Sequence, residues 1–358
     1  MPLVAVLGAT GTQGASVATR LLADPTTYQV RALTRRPESA AAQALAARGA
    51  QVVRADLNDA GTLGPALAGA DALFVVTAYW PSLGPLGRDG AGEEELAQFR
   101  NVAIAAAGTP TIRHVVLSTL PGCAAMSGGK LPVPHCDYKQ RAAAWIRDAH
   151  PGLWARSTQL WVGWYTSNLA TVMRPVPVPV PGNDDTSKSY LLALPSRGDA
   201  LLPMAGDVGR NVGTLVEAVL RTGPATTGGR PDRRLRHGDA ARPRGRRRPH
   251  QNHGGRRRVA YAEVSDAHMA RLHGDVGAEL AAQFRWSEAY PDWHGFAPDR
   301  TLGLAELGLE EGGRRGRWWG SRRRSGRSRT KSSSKPILGS SPPSRRKGRT
   351  RRGREKRR

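Results

Sequence analysis

Met1–Gly14 reads MPLVAVLGATGTQG, and the fold turns on how that stretch is read. Leu3 to Leu7 make an uncharged apolar run of strand length. Gly8, Gly11 and Gly14 follow at three-residue spacing, and Ala15–Leu22 reads as a helix. Strand, glycine turn and helix, in that order, form the context in which such spacing binds a dinucleotide. Gly8 permits a sharp turn, and Gly11 lets a pyrophosphate approach the backbone between Thr10 and Thr12. Gly14 lets the helix pack closely on the strand. The free N–H groups and dipole of that helix then favour phosphate. The competing reading is an ordinary βα turn rich in glycine.

Outward from this unit, QVRALT (Gln29–Thr34) alternates like a half-buried strand, and Arg35-Arg36 follow it directly. This is where a dinucleotide fold meets the adenosine ribose. An acid there binds the 2′-hydroxyl of NAD, whereas an arginine pairs with the 2′-phosphate of NADP. No acid is present, so Arg35 points to NADP. Further strands are expected at Gln51–Arg54, before Asp56-Leu57, at Ala72–Val76, before Thr77, and at His114–Leu117, before Ser118-Thr119. Helices are expected at Ser39–Arg48, Thr62–Ala68 and Glu93–Ala107. The alternation predicts an α/β fold, a doubly wound parallel sheet with helices on both faces. Ligands of such sheets lie beyond the carboxyl ends of the strands, where Thr77, Ser118 and Thr119 fall. Each of these also suits a turn that caps the next helix.

His135-Cys136-Asp137-Tyr138-Lys139 opens a helix running to about Asp148. His135 and Lys139, four residues apart, share a helical face. A lysine there can bond the nicotinamide ribose and a histidine can donate a proton, so both are candidate catalytic residues. The plainer reading is a helix start with exposed polar residues. LWARST (Leu153–Thr158) reads as a sixth strand, and the aromatic run after it holds Trp161, Trp164, Tyr165 and Asn168. RPVPVPVPG (Arg174–Gly182) suits only an extended edge or linker, because every second N–H is missing. Asp207–Arg221 reads as an amphipathic helix.

Together the glycine motif, Arg35, the strand ending Ser118-Thr119 and the HCDYK segment resemble the NmrA-like branch of the atypical short-chain dehydrogenase/reductases. The resemblance runs over about residues 3–225 and resumes near Val259–Leu309. It implies a Rossmann domain with a small C-terminal substrate lobe. Residues 1–157 would be the NADP-binding core, and 158–229 with 259–312 the remainder. It implies NADP(H) held by Gly8, Thr10, Gly11, Thr12, Gly14, Arg35, Asp56, Leu57, Thr77, Ser118 and Lys139, and Trp161, Trp164, Tyr165 and Asn168 at the nicotinamide end. Catalytic short-chain dehydrogenases carry Tyr-x-x-x-Lys. Here Lys139 is present, but His135 stands in the tyrosine position and Tyr138 points about 100° away on the helix. That departure favours a redox-sensing regulator with a protein partner, such as a transcription factor. The alternative is an NADPH-dependent reductase of a small carbonyl, unsaturated or aromatic compound.

The 358 residues carry a formal charge of +25, concentrated in two stretches. Arg230–Arg258 contributes +10 and Gly313–Arg358 contributes +19, which leaves −4 for the rest. Both stretches are too poor in apolar residues to offset their ordering entropy, and disorder is expected for each. They read either as a nucleic-acid or nuclear-import arm, or as out-of-frame translation of a G/C-rich gene. Two cysteines cannot make a disulfide framework, so reduced thiols are expected. The N-terminal apolar run lacks the basic flank of a leader, and no stretch of about 18 apolar residues occurs. A cytoplasmic protein is expected, nuclear if the basic tail is an import signal. No metal site is expected.

Overall fold

The computed structural model describes residues 1–179, 189–224, 234–237, 239–241, 258–293, 301–302 and 304–309. Residues 1–321 form one unit, and the second unit, 322–358, lies outside the described residues. The basic tail Gly313–Arg358, for which disorder is expected, lies outside the described residues as well.

The chain alternates strand and helix as expected. The order is β1 (Leu3–Leu7), α1 (Thr12–Leu21), β2 (Gln29–Thr34), α2 (Ala40–Ala46), β3 (Gln51–Arg54), α3 (Ala60–Leu67), β4 (Ala72–Val75), α4 (Trp80–Ala107) and β5 (His114–Thr119). There follow α5 (Cys123–Met126), α6 (Pro134–Ala149), α7 (Pro151–Trp154) and β6 (Ser157–Val162). These six strands are parallel in the order β3-β2-β1-β4-β5-β6, the Rossmann arrangement. Every residue of β1, β4, β5 and β6 is buried. Helices cover both faces of the sheet, so its central strands are continuous apolar runs rather than alternating ones.

The remaining elements are β7 (Trp164–Tyr165), β8 (Val176–Val178), β9 (Ser189–Leu194), β10 (Leu202–Gly206), α8 (Val208–Thr222), β11 (Arg234–His237), β12 (Asp239–Ala241), β13 (Arg258–Glu263), α9 (Asp266–Ala289) and β14 (Thr301–Leu302). β11 and β14 extend the main sheet beyond β6, again in parallel. Two three-stranded sheets, β7-β10-β12 and β8-β9-β13, build a smaller lobe with α9. Its core joins Trp164, Met173, Leu192, Leu194, Leu202, Leu280 and Phe284. The valine–proline stretch supplies β8 at a sheet edge, where the missing N–H groups cost no ladder bonds.

Three expectations need correction. α4 starts at Trp80, not near Glu93. Pro81, Gly84, Pro85 and Gly87 disguise its first turns, and the helix kinks at Gly87, whose φ is +69°. The sixth strand is Ser157–Val162, because Pro151 opens a helical turn that takes Leu153 and Trp154. Within the arginine-rich stretch 230–258, the backbones of Arg234–His237 and Asp239–Ala241 are strands. The first hydrogen-bonds to the open edge of β6, which needs no apolar side chains for the ladder. The rest of that stretch, save the start of β13, lies outside the described residues.

α8 fixes α1 on the sheet. Gly213 N–H donates to Ser16 Oγ at 2.9 Å, and Arg20 pairs with Glu217 at 2.7 Å. Val212, Leu215, Val216 and Val219 are fully buried between the two helices and the sheet. Each such side chain contributes roughly 1.5–3 kcal/mol. α1 is thus held against the sheet by packing.

Candidate functional site

A cleft of about 680 Å3 opens at the carboxyl ends of β1, β2, β4, β5 and β6. It sits where the strand order reverses between β1 and β4. Gly8, Thr10, Gly11, Thr12, Gly14, Arg35, Asp56, Leu57, Thr77, Ser118, His135 and Lys139 all line it. The fold therefore brings these twelve candidate residues to one place.

The glycine turn is tight and leaves room beside its backbone. Gly8 adopts φ +64°, and Gly11 N–H donates to Gly8 O at 2.9 Å. A Cβ on Gly14 would stand 2.2 Å from Gly8 O, so only glycine lets α1 come this close to the turn. Gly11 caps α1 without a side-chain hydrogen bond, which leaves the first-turn amides for a ligand. A Cβ on Gly11 would meet only Gly8 O, at 3.3 Å, and otherwise face open space. The turn fits a pyrophosphate.

At one end of the cleft, Arg35 and Arg36 are exposed just beyond β2 and make no ion pair among the described residues. Beside them Ala55–Asn58 forms a wall. Asn58 donates its backbone N–H to the Asp56 carboxylate at 3.0 Å and its side-chain amide to Glu94 at 2.8 Å. Gln98 Nε2 donates to Asn58 Oδ1 at 3.1 Å. The network fixes a flat slot opposite two free guanidinium groups.

The middle of the cleft holds residues the sequence reading missed. Glu95 is fully buried in α4, and its Oε1 accepts from Thr77 Oγ1 at 2.7 Å and pairs with Lys139 Nζ. Its signal lay in the helical spacing, for Glu95 stands on the face of Phe99 and Val102 within a Glu-Glu-Glu run. Ser118 Oγ donates to Gln13 Oε1 at 2.8 Å, and Gln13 Nε2 donates to Tyr165 OH at 2.7 Å. Gln13 thus ties the glycine turn to β5 and β7.

At the far end stands His135, 4 % exposed. Its Nδ1 and its backbone N–H both bond Glu279 Oε1, at 2.6 and 2.9 Å, and Glu279 Oε2 accepts from Arg88 Nε at 2.7 Å. Burial alone would favour the neutral ring. Cys136 and Glu279 outweigh it and push the His135 pKa up to about 10. A hydrogen bond with Cys123 and the neighbouring His135 push the Cys136 thiol down against its own burial. Cys123 and Cys136 are free and buried. Tyr138 does face away, its hydroxyl 3.3 Å from Asp89 Oδ1 and its ring beneath Arg141. Beyond His135 the walls become apolar, with Trp80, Trp164, Val172, Val276 and Leu280. Tyr165 and Asn168 join them, but Trp161 does not. It is buried against Trp293 in a separate aromatic core, since β6 residues alternate between sheet faces.

No described helix is long and apolar enough to cross a membrane. No cluster of three or more metal-ligating side chains occurs among the described residues.

Comparison with known proteins agrees with this architecture. The NmrA-like oxidoreductase FrzB of a Cladobotryum species is 35% identical over 175 residues, 49% of this chain and 50% of its own length. The chain thus spans about half the length of that curated relative. A crystal structure of NmrA, a negative transcriptional regulator, superposes with a TM-score of 0.61 at 20% identity, over 84% of this chain and 87% of that one. The structure of NmrA in complex with NADP gives 0.60 at 22%, over 81% and 83%. The sequence profile of the NmrA-like family matches residues 2–231, and the chain belongs to that family.

Proposed function

We propose that the protein binds NADP(H) along this cleft and reduces an apolar carbonyl, unsaturated or aromatic compound seated at its far end. The observation that carries the reading is the continuity of the cleft. A pyrophosphate cradle, a pair of free arginines and an apolar chamber with a histidine lie in one groove. The curated relative named as an oxidoreductase supports the same reading.

The residues divide the work by position. The amides of Thr12, Gln13 and Gly14 receive the pyrophosphate, and Arg35 receives the 2′-phosphate through a bidentate contact. Asp56 and Leu57 border the adenine. Lys139, its ammonium steadied by Glu95, lies against the nicotinamide ribose, with Thr77 and Ser118 along the way. NADPH, when bound, supplies a hydride. The substrate oxygen or carbon that becomes anionic takes a proton from His135, which regains it from solvent. Trp80, Val172, Val276 and Leu280 line that end and favour an apolar substrate.

A redox sensor with a protein partner is the second reading. It is favoured by the ties of both Lys139 and His135 to buried glutamates, and by the absence of a tyrosine acid. NADPH oxidation with a panel of quinones, enones and aromatic aldehydes separates the two. Steady turnover with at least one compound supports the reductase. A silent panel, with clearly different affinities for NADP⁺ and NADPH, supports the sensor instead.

A further inference from the structure

Glu279 stands in α9, 144 residues from His135 and in the smaller lobe, yet it is fully buried against the candidate acid. Its carboxylate takes three donors: the His135 ring, the His135 backbone N–H and the Arg88 side chain. A buried carboxylate is tolerated only when its oxygens are this well supplied. His135 is the second residue of α6, after Pro134, so Glu279 also satisfies an amide the helix leaves open and lies at the positive end of its dipole. Arg88 follows the Gly87 kink, so the bend in α4 is what delivers the guanidinium.

We infer that Glu279 is a positioning residue that fixes the His135 imidazole through Nδ1 and leaves Nε2 to serve the cleft; this rests on the reading above, in which His135 delivers the proton. The ring is steadied by Trp80 and Tyr79, whose centroids lie 5.1 and 5.7 Å from its own. Nε2 has the Cys136 Sγ at 3.5 Å, a weak contact that a substrate oxygen can replace. With Nδ1–H held by a carboxylate, the protonated ring presents its second proton at Nε2, whereas a neutral ring is held in the Nδ1–H tautomer. The titratable and charged groups around the ring are Glu279 and Arg88 behind it, Cys136 and Asp137 on α6, and the Tyr79 phenol. Asp137 is occupied by the backbone amides of Ala124 and Val133, so Glu279 is the carboxylate that bonds the ring. In this account the smaller lobe contributes to the chemistry as well as the chamber wall.

The test is nitrogen and carbon NMR of histidine-labelled full-length protein, with no substrate required. In the wild type Nδ1 must carry a proton from pH 6 to 9; a deprotonated Nδ1 overturns the inference without any variant. Glu279→Gln should lower the titration midpoint of His135 by more than about one pH unit, a tenfold change in its acidity. Arg88→Met removes a cation and should leave that midpoint as high or higher. Equal falls in both variants, or an unmoved midpoint in Glu279→Gln, would show a merely structural contact. Where a substrate is found, Glu279→Gln should cut kcat about tenfold at pH 8 and leave KM within about twofold. If no substrate turns over, the reductase reading fails, while the NMR result still decides the tie between Glu279 and His135.

Discussion

Gly11→Ala and Gly14→Ala separate what the glycine turn does for the fold from what it does for a ligand. At Gly14 a Cβ would meet Gly8 O at 2.2 Å, Gly8 C at 2.5 Å and Ala9 N at 2.9 Å, all backbone atoms. Relief requires α1 to retreat from β1 by roughly 1 Å, an overpacking that costs roughly 1–3 kcal/mol. The retreat also carries off the amides that face the pyrophosphate. An amide-to-phosphate bond is worth roughly 1.5–3 kcal/mol, so losing one weakens binding about tenfold to a hundredfold. At Gly11 the backbone is extended, φ −90° and ψ 170°, and the new methyl meets one oxygen at 3.3 Å before open cleft. Stability should stay within about 1 kcal/mol, while the methyl stands where the pyrophosphate must come. Urea unfolding and NADPH titration, run on both variants, give four numbers. The expected pattern is stability and binding both reduced in Gly14→Ala, with binding alone reduced in Gly11→Ala. Wild-type affinity in Gly11→Ala would refute the placement of the pyrophosphate.

Other consequences are as direct. Arg35→Ala should weaken NADPH binding about tenfold, since an exposed bidentate charge-assisted contact is lost, and leave NADH within twofold; an equal loss for both would mean that Arg35 does not read the 2′-phosphate. His114 is buried at the start of β5, its Nε2 2.9 Å from Thr158 Oγ1, and burial drives its pKa down to about 4. The folded pKa lies below the unfolded value of about 6.5, so the stability this neutral ring contributes is full above pH 6.5 and lost as pH falls towards 4. The loss reaches about 3 kcal/mol at pH 4. Urea midpoints at pH 7 and 4.5 should fall less in His114→Gln than in the wild type, and an identical fall would clear His114 of the effect.

Much of this was legible before the structure. β1 and β4 are short apolar runs because the centre of the sheet is covered on both faces, and such runs survive in a single sequence. That Arg35, Thr77 and Ser118 line the cleft followed from their place at the carboxyl ends of those strands. What stayed hidden depends on contacts distant in the chain. Glu95 lies in an acidic run that gives no local sign of its bonds to Thr77 and Lys139. Glu279 gave no local sign of its bond to His135. Trp161 and Trp164 are three residues apart, and only the sheet's faces decided that one enters a core and the other the cleft. The sensor stood first from sequence, because the missing tyrosine was visible and the apolar chamber was not.

The measurement that bears most directly on this account is a titration of the protein with NADPH and NADH, followed by tryptophan fluorescence. Trp80 and Trp164 line the cleft and report on its filling. Saturable quenching by both, with NADPH bound at least tenfold more tightly, is the predicted result. A folded protein that binds neither would contradict the assignment of this cleft.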